Sequence, residues 1–168
     1  MNILEVSHCN QLNGDGLRVV LWVAGCSHHC EQCHNQYSWD PTIGEEYSES
    51  VREEIFSDLS QDWCSGITYS GGDPLFVSNR EEIIKLAKEI REKFPNKTQW
   101  LYTGYSWEEV IKDSTMSQIL KYIDVICVGR YEHSLRDVTM QWVGSTNQQV
   151  IDVKKRFELI QKLSSENT

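Results

Sequence analysis

Cys26, Cys30 and Cys33 stand as C-x3-C-x2-C inside Gly25-Cys26-Ser27-His28-His29-Cys30-Glu31-Gln32-Cys33-His34-Asn35. Sulfurs spaced this closely in one short loop can converge on a single metal centre. Iron–sulfur cubanes are usually held by four cysteine thiolates, so three local thiolates leave one iron open to chemistry. The competing reading is a closed structural zinc site completed by His28, His29 or His34. Zinc modules usually pair C-x2-C with a second ligand pair further along, and none is visible here. His28 and His29 are expected to face solvent or the groups around the ligands, and His8 and His133 have no motif context.

A second concentration of special residues is Gly71-Gly72-Asp73-Pro74. Adjacent glycines let the backbone approach a ligand and adopt positive φ. Asp73 offers an acceptor near that backbone, suited to an ammonium group. A plain strand-to-helix turn has the same composition. Placement at the same sheet edge as the cysteine loop favours binding. No side chain reads as an acid or base, so no catalytic residue is assigned.

The elements that must position these loops follow from the apolar pattern. Residues 17–24 are nearly continuous apolar and β-branched, as in a strand buried on both faces. The cysteine loop begins at the C-terminal end of that strand, where α/β proteins put their active sites. Ser50-x-x-Glu53 predicts the start of a helix carrying Val51, Ile55 and Leu59. A strand over 66–70 leads into the glycine turn. The capping box Ser78-x-x-Glu81 then opens a helix with Ile83, Ile84, Ala87 and Ile90, ending before Pro95. Another strand covers 99–103, a helix is capped by Ser106-x-x-Glu109, and a further strand covers 124–129. Residues 150–163 show an amphipathic helical pattern with Val153, Phe157 and Ile160, and 164–168 read as a frayed tail.

Strand–loop–helix at this spacing predicts a mostly parallel sheet with helices outside. A complete (β/α)8 barrel typically needs about 250 residues, and the chain has 168. The expectation is therefore an α/β fold, an open partial (β/α) barrel. It forms one domain over 1–168, with a core over about 1–150 and a C-terminal helix and tail over 151–168.

Composition narrows the partners. A net charge of −9, with 39% hydrophobic and 24% charged residues, describes a globular chain and argues against nucleic acid or an anionic membrane. Lys85, Lys88, Arg91 and Lys93 crowd one helix and read as a solvated face. The run 19–25 is too short to span a bilayer, and the N-terminus lacks a signal-peptide pattern. Cys9, Cys64 and Cys127 are scattered, which fits metal binding in a reducing cytosol better than a disulfide framework. Cys127, in an apolar strand, is expected in the core, and the tryptophans in the core or at sheet edges.

The cysteine loop after the first core strand and Gly-Gly-Asp-Pro after the second resemble the radical S-adenosylmethionine superfamily. More narrowly, they resemble the activating proteins of anaerobic ribonucleoside-triphosphate reductases. The resemblance covers about 1–150. It runs through Asn13-Gly14-x-Gly16, Gly25-Cys26, Cys33-x-Asn35, Trp39, Ser70 to Leu75, Thr103-Gly104-Tyr105, Asp124-Val125, Val128-Gly129 and Trp142-x-Gly144-Ser145-x-Asn147-Gln148. Asp15, His34 and Val143 stand where the family usually has proline, tyrosine and arginine, and the tail beyond Gln149 is longer.

The resemblance implies a radical S-adenosylmethionine type of fold in which Cys26, Cys30 and Cys33 hold a 4Fe–4S cluster. Its fourth iron would be chelated by the amino and carboxylate groups of S-adenosyl-L-methionine. Gly71, Gly72, Asp73 and Pro74 would bind the methionine end, the backbone at Gln32, Cys33 and His34 would lie near the adenine, and Thr103 would add a contact. A 5′-deoxyadenosyl radical would take hydrogen from a glycine of the large reductase subunit, with a reduced donor such as flavodoxin supplying the electron. A homodimer is compatible with the resemblance. Two alternatives stay open: activation of another glycyl-radical enzyme or small-molecule radical chemistry, and a zinc-stabilised binding protein without catalysis.

Overall fold

The computed structural model describes residues 1–166. Seven strands form one sheet: β1 (Asn2–Asn10), β2 (Arg18–Val23), β3 (Glu45–Glu46), β4 (Gly66–Gly71), β5 (Thr98–Tyr102), β6 (Val125–Val128) and β7 (Gln149–Asp152). Their spatial order is β3-β1-β2-β4-β5-β6-β7. The central four, β2, β4, β5 and β6, are parallel, and β1, β3 and β7 add antiparallel edges. The fold is thus mixed α/β with an open sheet.

The helices are α1 (Glu49–Leu59), α2 (Arg80–Lys93), α3 (Trp107–Lys112) and α4 (Val153–Glu166). Alternation along the strands separates two faces. Val19, Leu21, Val23, Ile67, Tyr69, Leu101 and Ile126 join Ile55, Leu59, Ile83, Ile90 and Val110 of the helices in one buried core. Trp22, Ser70, Tyr102 and Cys127 face the other way and line a cavity. Helices therefore cover one face, and the opposite face is left for the site. Among the described residues no helix is long and apolar enough to cross a membrane.

The core strands lie where the apolar runs put them, whereas several boundaries differ. Ser48, not Ser50, caps α1, its hydroxyl accepting from the Val51 N–H at 3.4 Å. Starting there brings Glu49 beside the positive helix N-terminus and within reach of Arg52. The box at Ser78 does not form: Asn79 is the N-cap of α2, without a side-chain cap bond. Its amide donates instead to Ala24 O at 2.8 Å and Asp73 O at 3.0 Å. The box at Ser106 forms in full, Ser106 accepting from the Glu109 N–H and Glu109 from the Ser106 N–H.

Residues 149–152 pair with β6 before α4 begins. The exposed edge of β6 supplies ladder partners that a reading of helical period alone does not weigh. The helix runs through Glu166, further than the expected frayed tail, and Asn167 and Thr168 lie outside the described residues. The expected solvated face of α2 holds for its lysines but not for Arg91, which is half-buried and donates to Tyr122 O. Lys85 and Lys88 are exposed beside Glu82 and Glu92, and Arg91 reaches Asp124 at 2.6 Å.

β1 is tied to α1 by His8, whose ring nitrogens lie 2.5 Å from Asp58 Oδ2 and 2.9 Å from Glu54 Oε1. The hydrogen bond to Asp58, with support from both carboxylates, raises the His8 pKa above 6.5 against some desolvation. A raised folded value means stabilisation that is full below the unfolded pKa and disappears as pH rises through the folded one. His8 is 46% exposed, so screening holds the effect to about 0.5 kcal/mol. The stability gap between the native protein and His8→Ala, read from urea midpoints, should narrow by that amount from about pH 6 to pH 9. A gap independent of pH would show that the pair contributes no charge-dependent stability.

Candidate functional site

The cysteine loop leaves β2 at Val23 and is held by backbone bonds. Gly25 N–H donates to Ser38 O at 2.8 Å, Cys26 N–H to Trp39 O at 3.1 Å and Cys33 N–H to Cys30 O at 3.1 Å. His29 and Gln32 take left-handed φ values of 46° and 53°, which coil the segment back on itself. Asn35 N–H points at Cys33 Sγ, 3.4 Å away.

Val23 pairs with Gly71 in the β2–β4 ladder, so the glycine turn starts beside the cysteine loop. Gly72 N–H donates to Val23 O at 2.7 Å and Asp73 N–H to Gly25 O at 2.8 Å. This close approach requires glycine at 72, where a Cβ would lie 2.5 Å from Gly25 O.

Asp73 is 1% exposed. Its carboxylate accepts from Leu75 N–H at 2.8 Å, Thr103 Oγ1 at 3.0 Å, Gly104 N–H at 2.9 Å and His28 Nε2 at 2.6 Å. His28 thus faces groups around the expected ligands, not solvent. Among the described residues, Cys26, His28 and Asp73 bring candidate ligand atoms within 4.8 Å of one another.

Cys26, Cys30, Cys33, Gln32, His34, Gly71, Gly72 and Thr103 line one cavity of about 750 Å³. That volume suits a cofactor-sized ligand. Asp73 and Pro74 lie buried behind the wall, so the carboxylate shapes the site from within. The rest of the lining includes Trp22, Tyr102, Cys127, Tyr131, Trp142 and Gln148. The sequence reading assigned no site role to these six. For Trp22, Tyr102 and Cys127 the signal is the strand alternation that points them, with Ser70, away from the helices, whereas Tyr131, Trp142 and Gln148 lie outside the strands and carry no such signal. Cys127 is buried at 3%, as expected of a core thiol, and burial pushes it up to about 12.

Burial pushes the Cys26 thiol up to about 11, with Asp73, Cys30 and Cys33 adding to the shift and a backbone bond at His28 opposing it. Cys30 is raised in the same way, chiefly by burial. Half-buried soft sulfur donors beside a carboxylate want a cation, and a bound metal inverts this shift by stabilising thiolate. The donor set and the cavity together fit an iron–sulfur cluster and a small-molecule ligand beside it.

A family model described as a 4Fe-4S single cluster domain matches residues 12–151. Anaerobic ribonucleoside-triphosphate reductase-activating proteins are similar along nearly the whole chain. That of Enterobacteria phage T4 is 41% identical over 150 residues, covering 89% of this chain and 93% of the relative. That of Haemophilus influenzae is 35% identical over 161 residues (95% and 100%). That of Escherichia coli K12 is 34% identical over 152 residues (89% and 97%).

In metal-free protein, alkylation by iodoacetamide near neutral pH should spare Cys26 while exposed Cys9 reacts. The Cys26 rate should climb about tenfold per pH unit toward its pKa of about 11, since the thiolate is the nucleophile. Peptide mapping reads this out, and equal rates at both positions would contradict the buried thiol.

Proposed function

The chain belongs to the family of anaerobic ribonucleoside-triphosphate reductase-activating proteins, and we propose that it installs the glycyl radical in the large subunit of such a reductase. It is an enzyme whose cofactors are a 4Fe–4S cluster and S-adenosylmethionine. The observation that carries the reading is geometric. A three-cysteine loop and a Gly-Gly-Asp-Pro turn leave adjacent parallel strands and border one cavity of about 750 Å³.

Within this reading Cys26, Cys30 and Cys33 hold the cluster. Of the turn Gly71, Gly72, Asp73 and Pro74, the two glycines form the wall that takes the methionine end of S-adenosylmethionine, with Asp73 and Pro74 bracing it from behind. The backbone at Gln32, Cys33 and His34 lies near the adenine, and Thr103 completes that edge. Held there by Cys26, Cys30 and Cys33, the cluster would supply the reducing electron for cleavage of S-adenosylmethionine, the radical chemistry that glycyl-radical installation requires. The protein's own part is to orient that pair and keep water from it. Trp22, Tyr102 and Trp142 put aromatic rings on a cavity wall that also carries polar groups such as Gln148, and those rings would help to exclude water around a reactive species. The open sheet is read as a partial (β/α) barrel whose uncovered side admits the partner's glycine loop. A cytoplasmic setting with a flavodoxin-like electron donor completes the proposal.

The test is anaerobic reconstitution with iron and sulfide, then dithionite and S-adenosylmethionine, with and without an anaerobic reductase. Release of 5′-deoxyadenosine and a glycyl-radical EPR doublet on the reductase are the expected results. Cys30→Ala should lose cluster, cleavage and activation together. Full activation by that variant would overturn the ligand assignment. Cleavage without a radical on any reductase would overturn the partner.

A further inference from the structure

His28 stands between two cysteines of the loop, yet its side chain is only 4% exposed. Its Nδ1 lies 3.2 Å from Arg130 Nε. An arginine Nε has a hydrogen to give and no lone pair to offer. Nδ1 is therefore the acceptor, the ring proton sits on Nε2, and Nε2–H donates to Asp73 Oδ2 across 2.6 Å. The ring meets Tyr105 edge-on, with centroids 4.6 Å apart. It also presses on Gly104 so closely that a Cβ there would lie 2.3 Å from His28 Cδ2. Arg130 is held in turn, its carbonyl accepting from Asn147 Nδ2 at 2.8 Å.

These contacts come from separate segments: the turn after β4, the loop after β5 and the residues after β6. An ionised carboxylate has about four acceptor positions. At Asp73 they are taken by Leu75 N–H, Thr103 O–H, Gly104 N–H and His28 Nε2–H. A ring locked this way is not a gate that a ligand pushes aside.

We propose that His28 is a positioning residue: a fixed strut that ties the cysteine loop to Asp73 and so sets how the open metal position faces the methionine end of the cofactor. Asp73 then acts through the wall it braces, and no acceptor on its carboxylate is left for the ammonium. The proposal rests on the functional reading above.

Nitrogen NMR of the His28 ring in metal-free protein tests the strut without any cofactor. The expected signature is the Nε2–H tautomer with a slowly exchanging proton. The other tautomer, or a freely averaging ring, would overturn it. For its role toward the cofactor, His28→Ala and His28→Gln are reconstituted and titrated with S-adenosylmethionine, following the EPR spectrum of the reduced cluster. The alanine variant should keep iron and sulfide but lose roughly tenfold to a hundredfold in affinity, the range for groups that orient metal ligands. The glutamine variant, whose amide N–H can reach Asp73, should recover most of that loss. Native affinity and an unchanged spectrum in the alanine variant would overturn the proposal. If the alanine variant holds no iron, the glutamine variant decides: near-native affinity supports the strut, and a tenfold loss overturns it. Native protein that holds a cluster but never responds to S-adenosylmethionine would instead sink the functional reading, while the ring signature still judges the strut.

Discussion

The site is organised around one buried carboxylate. Burying a charge is expensive unless every lone pair finds a donor, and Asp73 finds four. Those donors belong to the cysteine loop, the glycine turn and the end of β5. The carboxylate can be satisfied only when the three are in register. Parallel pairing makes this possible, because Tyr69 faces Leu101 in the β4–β5 ladder and the two strands end side by side. Taking away one donor leaves a buried acceptor unmet, at about 1–3 kcal/mol. A loss of that size would be felt first in the loops.

The far end of the strands is fixed by a different charge. Arg18 is fully buried and donates to Asp15 O, Ile67 O, Thr68 Oγ1, Thr98 Oγ1 and Thr98 O. Desolvation pulls its pKa down to about 10, and the Trp100 ring lies 5.5 Å away. Its hydrogen-bond partners are neutral oxygens at the starts of β4 and β5 and in the turn before β2, so the guanidinium clamps three strand starts together. A cation at one end of the parallel strands and an anion at the other hold the same register. The cavity-facing side chains lie between them.

The parts legible in the sequence were those with a strong local signal. The apolar runs of β2, β4, β5 and β6 located the parallel core, and cysteine spacing with adjacent glycines located both loops. β1 was missed because only Ile3 of its nine residues is buried, so its pattern carries little amphipathic signal. β7 was absorbed into a helix because Val150, Ile151 and Val153 also satisfy a helical stripe. The caps at Ser50 and Ser78 failed because serines and acids recur near helix starts, and tertiary demand chose among them. At Asn79 that demand was the need to tie Ala24 to Asp73. His28 had no readable role, because its partners at 73, 104 and 130 meet only in three dimensions.

The cavity has two unlike walls. One is the parallel sheet, with both its core face and its strand ends pinned. The other is the irregular stretch 129–148, in which Ser145 alone is buried. That stretch is held by polar bonds: Gln148 Nε2 to Gly129 O, Gly144 and Ser145 N–H to Gln148 Oε1, and Asn147 Nδ2 to Arg130 O. The Gly-Ser-x-Asn-Gln run is therefore the stitching of this wall. Segments with few buried apolar contacts and exposed polar bonds open at lower free energy than packed strands. Asn147 holds the carbonyl of Arg130, and the Arg130 guanidinium holds His28, so this polar wall is joined to the cysteine loop by direct contacts.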